Sequence, residues 1–251
     1  MEISSRSDLL DYLAEANRTG ASIPTIAELS EELGISITSL REQLEVARRL
    51  GFVSIKPKTG IQPCGFSLSP ALMLSLQYGI KVQPELFEAF RDLRKHIEAS
   101  YWYEAAPLLT SGEVSALGEI VRKAQLKIEN QPIEMPEKEH RAFHLAIFQH
   151  LENPLAKSVL ETFWELNAGN ERNYYLDQTY LVTVWNYHQR IVEALAARDF
   201  DRGYQALIAH MDLVVQRKKW NYLSVLNDKR RIRRHDLPQE RKIDRSPPKS
   251  K

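Results

Sequence analysis

Apolar residues near the start of the chain recur at helical spacing. Leu9, Leu10, Tyr12, Leu13 and Ala16 form one face and predict a helix from Ser5 to Asn17, with Ser5 and Asp8 as an imperfect capping box. Pro24 then stiffens the chain. Thr25-Ile26-Ala27-Glu28 is a better capping box, opening a second helix that stops at Gly34. Ser36 can cap a third helix whose apolar side is Leu40, Leu44, Ala47 and Leu50, with Gly51 as its terminator. The period then changes. Phe52 to Lys56 alternates apolar and polar residues, Pro57 to Gly60 reads as a turn, and Ile61 begins a second extended run ending near Leu68. Helix, helix, turn, helix and hairpin within residues 1–68 predict a winged helix-turn-helix.

From Ser69 onward the pattern is helical. Residues 69–82 read as a linker, and amphipathic segments follow at 83–102, 110–130, 136–151, 154–166, 178–197 and 200–225. Breaks fall at Pro107, Pro132, Pro136, Asn153-Pro154, Asn167 to Asn170 and Asp199. The fold class is therefore mostly α: a small head with a β-hairpin wing, and an all-α bundle over 83–226. Residues 227–251 form a basic, proline-containing tail expected to be disordered.

Composition narrows the setting. No apolar run approaches the roughly 20 residues that span a bilayer. The opening MEISSRSDLL lacks the pattern of a secretory leader, and Cys64 is the only cysteine, which together suit the reducing cytoplasm. The net charge of +1 divides unevenly. Residues 228–251 hold ten Lys/Arg and four Asp/Glu (+6), so the rest carries −5, and residues 1–68 alone carry −2, from seven basic and nine acidic residues. An acidic head argues against an extensive DNA-binding surface, although net charge can hide a local basic face.

The second helix of a helix-turn-helix pair enters the major groove. Its leading residues here are Ser36, Ile37, Thr38, Ser39 and Arg41. Hydroxyls at a helix N-terminus suit phosphates, and Arg41 can reach a guanine edge or a phosphate. Thr25, opening the preceding helix, and the wing tip Lys58-Thr59-Gly60 complete the expected contacts to double-stranded operator DNA. A winged helix used only for protein contacts is the alternative at this point.

Four of the seven histidines are placed suggestively. His140 and His144, in H-R-A-F-H, share one helical face, while His188 and His210 lie on two later helices. A bundle can gather three such helices around one point, where neutral imidazoles suit Zn²⁺ or Ni²⁺. Paired histidines on an exposed helix, or a polar network between helices, are the alternatives.

The segment IPTIAELSEELGISITSLREQLEVARRLGFVSIKPKTG resembles the winged helix of GntR-type regulators. It keeps Pro24, Glu28-Leu29, Leu33-Gly34, Ser36, Arg41-Glu42, Leu44, Gly51-Phe52-Val53 and Gly60. Two arginines that contact DNA in that family are replaced by Ala27 and Ile37, and the first wing glycine by Lys58. Each lost phosphate contact weakens binding and its salt dependence. Residues from about 83 to 222 resemble the FCD-type effector domain: Arg94 and Glu98, then His140 to His144, Asn153, His188 with Ile191, Ala194, Leu195 and Asp199, and lastly His210. In metal-binding members of that family an aspartate and three histidines hold the ion, and His140 stands at the aspartate position. The resemblance thus implies a divalent metal on His140, His144, His188 and His210, tilted towards zinc or nickel. The more positive site favours a small organic acid as effector, with Arg94 as its partner. A homodimer is implied as well. A helical metal or small-molecule sensor with degraded DNA recognition is the second reading.

Catalysis has little support. Arg141 stands where H-E-x-x-H metalloproteases need glutamate, and no nucleophile elbow, phosphate loop or dinucleotide fingerprint is present. Trp102, Trp164, Trp185 and Trp220 are expected to serve as core or interface.

Overall fold

The computed structural model describes residues 8–168 and 178–213. The expected cap at Ser5, the last helix beyond residue 213, Trp220 and the basic tail lie outside the described residues. The head contains α1 (Asp8–Thr19), α2 (Ile26–Leu33), α3 (Ile37–Arg49), β1 (Val53–Lys56) and β2 (Gly60–Pro63). The strands form one antiparallel pair in which Ile55 faces Ile61. Leu9, Leu13, Leu29, Leu40, Leu44, Val53 and Ile61 close a separate core. Its helices begin and end where local chemistry dictates. The Thr25 side chain accepts from the Glu28 backbone while Glu28 reaches back to Thr25, and Gly34 ends α2 in the left-handed conformation. The Ser36 hydroxyl caps α3 by accepting from Ser39 N. β2 stops at Pro63, short of the expected Leu68, and Cys64 N closes the hairpin by donating to Phe52 O.

The expected linker is a helix, α4 (Ser69–Val82). Pro70 suits the first turn of a helix, where an N–H is not needed. Leu72 and Leu76 pack on Phe90, Phe163 and Trp164, so tertiary burial supports a segment that lacks a clear amphipathic period. The bundle follows as α5 (Leu86–Ala105), a 3₁₀ turn at Ala106–Leu108, α6 (Ser111–Glu129), α7 (Glu137–Ile147), α8 (Pro154–Asn167), α9 (Gln178–Ala196) and α10 over 200–213. α7 ends four residues short of the expected 151, because the chain turns at Phe148 to reach Asn153, which caps α8 through Leu155 N and Ala156 N. Trp102 and Trp185 are fully buried in the main core, and Trp164 lies in the smaller cluster beneath α4.

Head and bundle meet along α4 and α8. Leu68 N donates to the Ser158 hydroxyl at 3.3 Å, and the Ser69 hydroxyl donates to the Ser158 carbonyl at 3.3 Å. Gly51, ending α3 at φ +82°, leaves room for Pro70. A Cβ at Gly51 would stand 2.7 Å from the Pro70 Cγ, whereas one at Gly34 (φ +65°) would meet nothing within 4 Å. Gly34→Ala therefore carries only the left-handed strain, about 1–2 kcal/mol. Gly51→Ala adds a steric overlap. Urea unfolding should show Gly51→Ala as the more destabilised of the two, and equal losses would remove the Pro70 contact as a constraint.

Candidate metal and effector site

α7 carries His140 and His144 one turn apart on its inner face, α9 brings His188, and α10 brings His210. His144, His188 and His210 are buried and His140 is half-buried. One ligand nitrogen from each ring falls within 4.8 Å of all the others. The shortest separations join Nε2 atoms: His144 to His210 at 3.2 Å, His144 to His188 at 3.3 Å and His140 to His210 at 3.5 Å. Nitrogens bound at the usual zinc distance in a tetrahedron stand ~3.4 Å apart. The sequence-derived cluster is therefore assembled in full, including His140 from the position where the resemblance has aspartate.

The outer nitrogens define the tautomers. His188 Nδ1 lies 2.9 Å from the Val184 carbonyl, which can only accept, so Nδ1 carries the proton. His144 Nδ1 lies 3.0 Å from Glu98 Oε2 and likewise donates. Both Nε2 atoms then present lone pairs to each other across 3.3 Å, an arrangement that repels unless a cation or a shared proton stands between them. His210 Nδ1 is buried without a hydrogen-bond partner among the described residues, whichever nitrogen of the ring carries the proton. Four donors arranged in this way fit a divalent ion.

Burial keeps the rings of His144, His188 and His210 neutral. It lowers His144 to about 4 against the pull of Glu98, and holds His188 and His210 well below the ordinary histidine value. Burial alone would raise Glu98, but the Arg94 guanidinium and the His144 ring together outweigh it and hold the carboxyl down at about 2. Arg94 Nε donates to Glu98 Oε1 at 2.8 Å, and its guanidinium lies 4.7 Å from the Phe163 ring centre and 4.6 Å from that of Trp164. Beside the histidines lies a cavity of about 250 Å³. His140 and His210 border it, together with Arg91, Arg94, Lys95 and Tyr180. Arg91 pairs with Glu88, and Lys95 with Asp212.

Sequence reasoning named Glu98 only as part of the family pattern, gave Trp164 only a core or interface role, and did not single out Phe163. A signal existed for Glu98. The buried stripe of α5 runs Phe90, Arg94, Glu98, Trp102 and Ala105, with two charges one turn apart inside an apolar face. Nothing comparable marked Phe163 and Trp164, whose roles depend on how α8 crosses α5 and α7.

On the head, Ser36, Thr38 and Arg41 are exposed along the outer side of α3, while Ser39 is half-buried and accepts from Gln43. Thr25 is committed to its capping box. Lys58, Thr59 and Gly60 form the exposed hairpin tip, and Gln62 donates to the Thr59 carbonyl. Arg48 and Arg49, in the last turn of α3, both pair with Glu45 and draw its carboxyl down to about 2.

A winged head on a helical bundle has known counterparts. The FCD domain family matches residues 88–213. This chain belongs to the GntR-type regulators that carry an FCD domain. It is 24% identical over 204 residues to the HTH-type transcriptional regulator LutR of Bacillus subtilis, covering 77% of this chain and 90% of LutR. It is 22% identical over 201 residues to the Uxu operon regulator of Haemophilus influenzae, covering 78% of this chain and 73% of that protein. The solved GntR structure from Streptococcus agalactiae shares the fold, with a TM-score of 0.57 at 17% identity over 81% of this chain and 95% of that one. The relatives are regulators rather than enzymes. Among the described residues, no helix is long and apolar enough to cross a membrane.

A pH dependence follows from the buried rings. Above the ordinary value of 6.5, His144 is neutral both folded and unfolded. As pH falls towards about 4, the unfolded chain takes up a proton that the folded ring refuses, so stability declines. His188 and His210 act in the same direction. Glu98 stabilises the fold above its ordinary 4.5, and this contribution is lost as pH falls towards about 2. The thermal midpoint of metal-free protein should drop steadily from about pH 6.5 downward. A level midpoint there would mean that the rings accept protons in place.

Proposed function

We propose that this regulator binds operator DNA as a homodimer and responds to a small carboxylate held beside a divalent metal in the bundle. The convergence of four Nε2 atoms next to a cavity bordered by Arg94 carries the reading. His140, His144, His188 and His210 would hold the ion. Four neutral nitrogen donors favour Zn²⁺ or Ni²⁺ over harder ions and leave its charge uncompensated. Bound there, the metal supplies a Lewis-acidic, positively charged wall to the cavity.

An anion completes this balance. The Arg94 guanidinium lies against two mutually perpendicular aromatic rings, Phe163 and Trp164, and can give a carboxylate a charge-assisted hydrogen bond from the cavity side. The half-buried His140 leaves the cluster approachable from that side. Ser36, Thr38, Ser39 and Arg41 would meet the major groove, and Lys58 to Gly60 the backbone. Thr25, held in its cap, contributes by setting the start of α2. An effector acts if it favours one arrangement of two reading heads over another.

Elemental analysis of purified protein should find close to one zinc or nickel per chain, and adding metal to stripped protein should raise its thermal midpoint. Metal-free protein that gains no stability from either ion overturns the metal reading. Arg94→Ala would strand Glu98 as an unpaired buried charge, so Arg94→Lys is the sharper variant. It should weaken carboxylate binding in calorimetry while the fold persists, and unchanged affinity removes Arg94 from the effector site. In mobility-shift assays on the region upstream of its own gene, Arg41→Ala should weaken binding and reduce the slope of log affinity against log salt by about one. An unshifted wild-type complex would favour the sensor without DNA recognition.

A further inference from the structure

The histidine cluster and the cavity share one buried carboxylate. Glu98 Oε2 accepts from His144 Nδ1 at 3.0 Å, and Glu98 Oε1 accepts from Arg94 Nε at 2.8 Å. Glu98 is 0% exposed, so no solvent dilutes either contact. Phe163 and Trp164, set edge to face, both pack against the guanidinium. Two oxygens of a single group thus face two donors, one belonging to a metal-ligand ring and the other to a cavity-lining cation.

We propose that Glu98 is a positioning residue that couples metal and anion binding, so that each strengthens the other through His144, Glu98 and Arg94. This inference rests on the metal and carboxylate sites proposed above. An anion on the cavity side of Arg94 competes with Glu98 for the guanidinium. The carboxylate then leans more strongly on His144 Nδ1–H, which raises electron density on Nε2 and makes it a better donor to the metal. The reverse follows equally. A cation on His144 Nε2 polarises Nδ1–H, draws the carboxylate towards the ring and leaves Arg94 more electropositive towards the cavity. Linkage requires one coupling factor in both directions. Glu98 stays ionised throughout, and no proton changes hands.

Glu98→Gln tests the idea, since an amide has a single acceptor oxygen and cannot serve both donors. Zinc and succinate, a four-carbon dicarboxylate, are the probes. In the full-length wild type, saturating succinate should tighten zinc binding by about tenfold, within the usual range for coupled sites. In Glu98→Gln, zinc binding without succinate should weaken by about 10–100-fold, as for loss of a partner that orients a ligand. The succinate effect should fall to less than about threefold. Nitrogen-15 spectra of metal-free protein give a second readout should the variant fold poorly. On succinate addition the wild-type His144 resonances should shift, and in Arg94→Lys they should shift less.

Several outcomes overturn the proposal. If wild type binds zinc and succinate and Glu98→Gln keeps the full coupling factor, a direct contact between acid and metal carries the linkage and Glu98 does not. His144 signals unmoved by bound succinate lead to the same conclusion. If wild type binds neither probe, the underlying metal and effector reading fails, and this inference fails with it.

Discussion

Four imidazole nitrogens crowded into a water-poor centre impose the main constraint on this bundle. Burial keeps protons off His144, His188 and His210, and the outer nitrogens of His144 and His188 are already committed to Glu98 and the Val184 carbonyl. Two lone pairs are therefore left facing each other at 3.3 Å. A hydrophobic substitution at His144 or His188 would relieve that tension. What the arrangement supports is affinity for a cation, with donor atoms held at suitable spacing by three packed helices.

The same constraint explains the unusual interior of α5. Arg94 and Glu98 occupy positions in its buried stripe where leucine would ordinarily pack. A buried ion pair contributes little net stability against an apolar alternative. Here it holds His144 in one tautomer and presents a flat cation to the cavity wall. Polar groups at such depth make sense when each has its partner, and Glu98 uses both oxygens.

α8 is shared by both halves of the molecule. Near its start, Ser158 holds the beginning of α4 through two hydrogen bonds. Less than two turns further on, Phe163 and Trp164 pack against the Arg94 guanidinium, and Trp164 also packs against His140 and His144 at centroid distances of 4.7 and 4.8 Å. Pro70, one residue into α4, rests against Gly51 at the end of the reading helix. Contacts around the proposed effector site and contacts that seat the winged head are thus made by one helix and its immediate neighbour.

Local chemistry was legible in the residues themselves. Thr25 with Glu28, Gly34 and Ser36 marked the boundaries of the head's helices, since caps and left-handed glycines depend on only a few neighbouring backbone groups. The four histidines could be nominated from helical spacing and from the family resemblance. Tertiary packing decided the rest. α4 reads as a linker because its apolar residues lack a clean period, and it becomes a helix because Leu72 and Leu76 find a surface built more than 80 residues later. The meeting of the Nε2 atoms, the aromatic contacts of Arg94 and the double use of Glu98 also join distant segments. One chain segment encodes its own hydrogen bonds, whereas the crossing of helices, which sets distances between remote side chains, emerges only from how the whole core fills its volume.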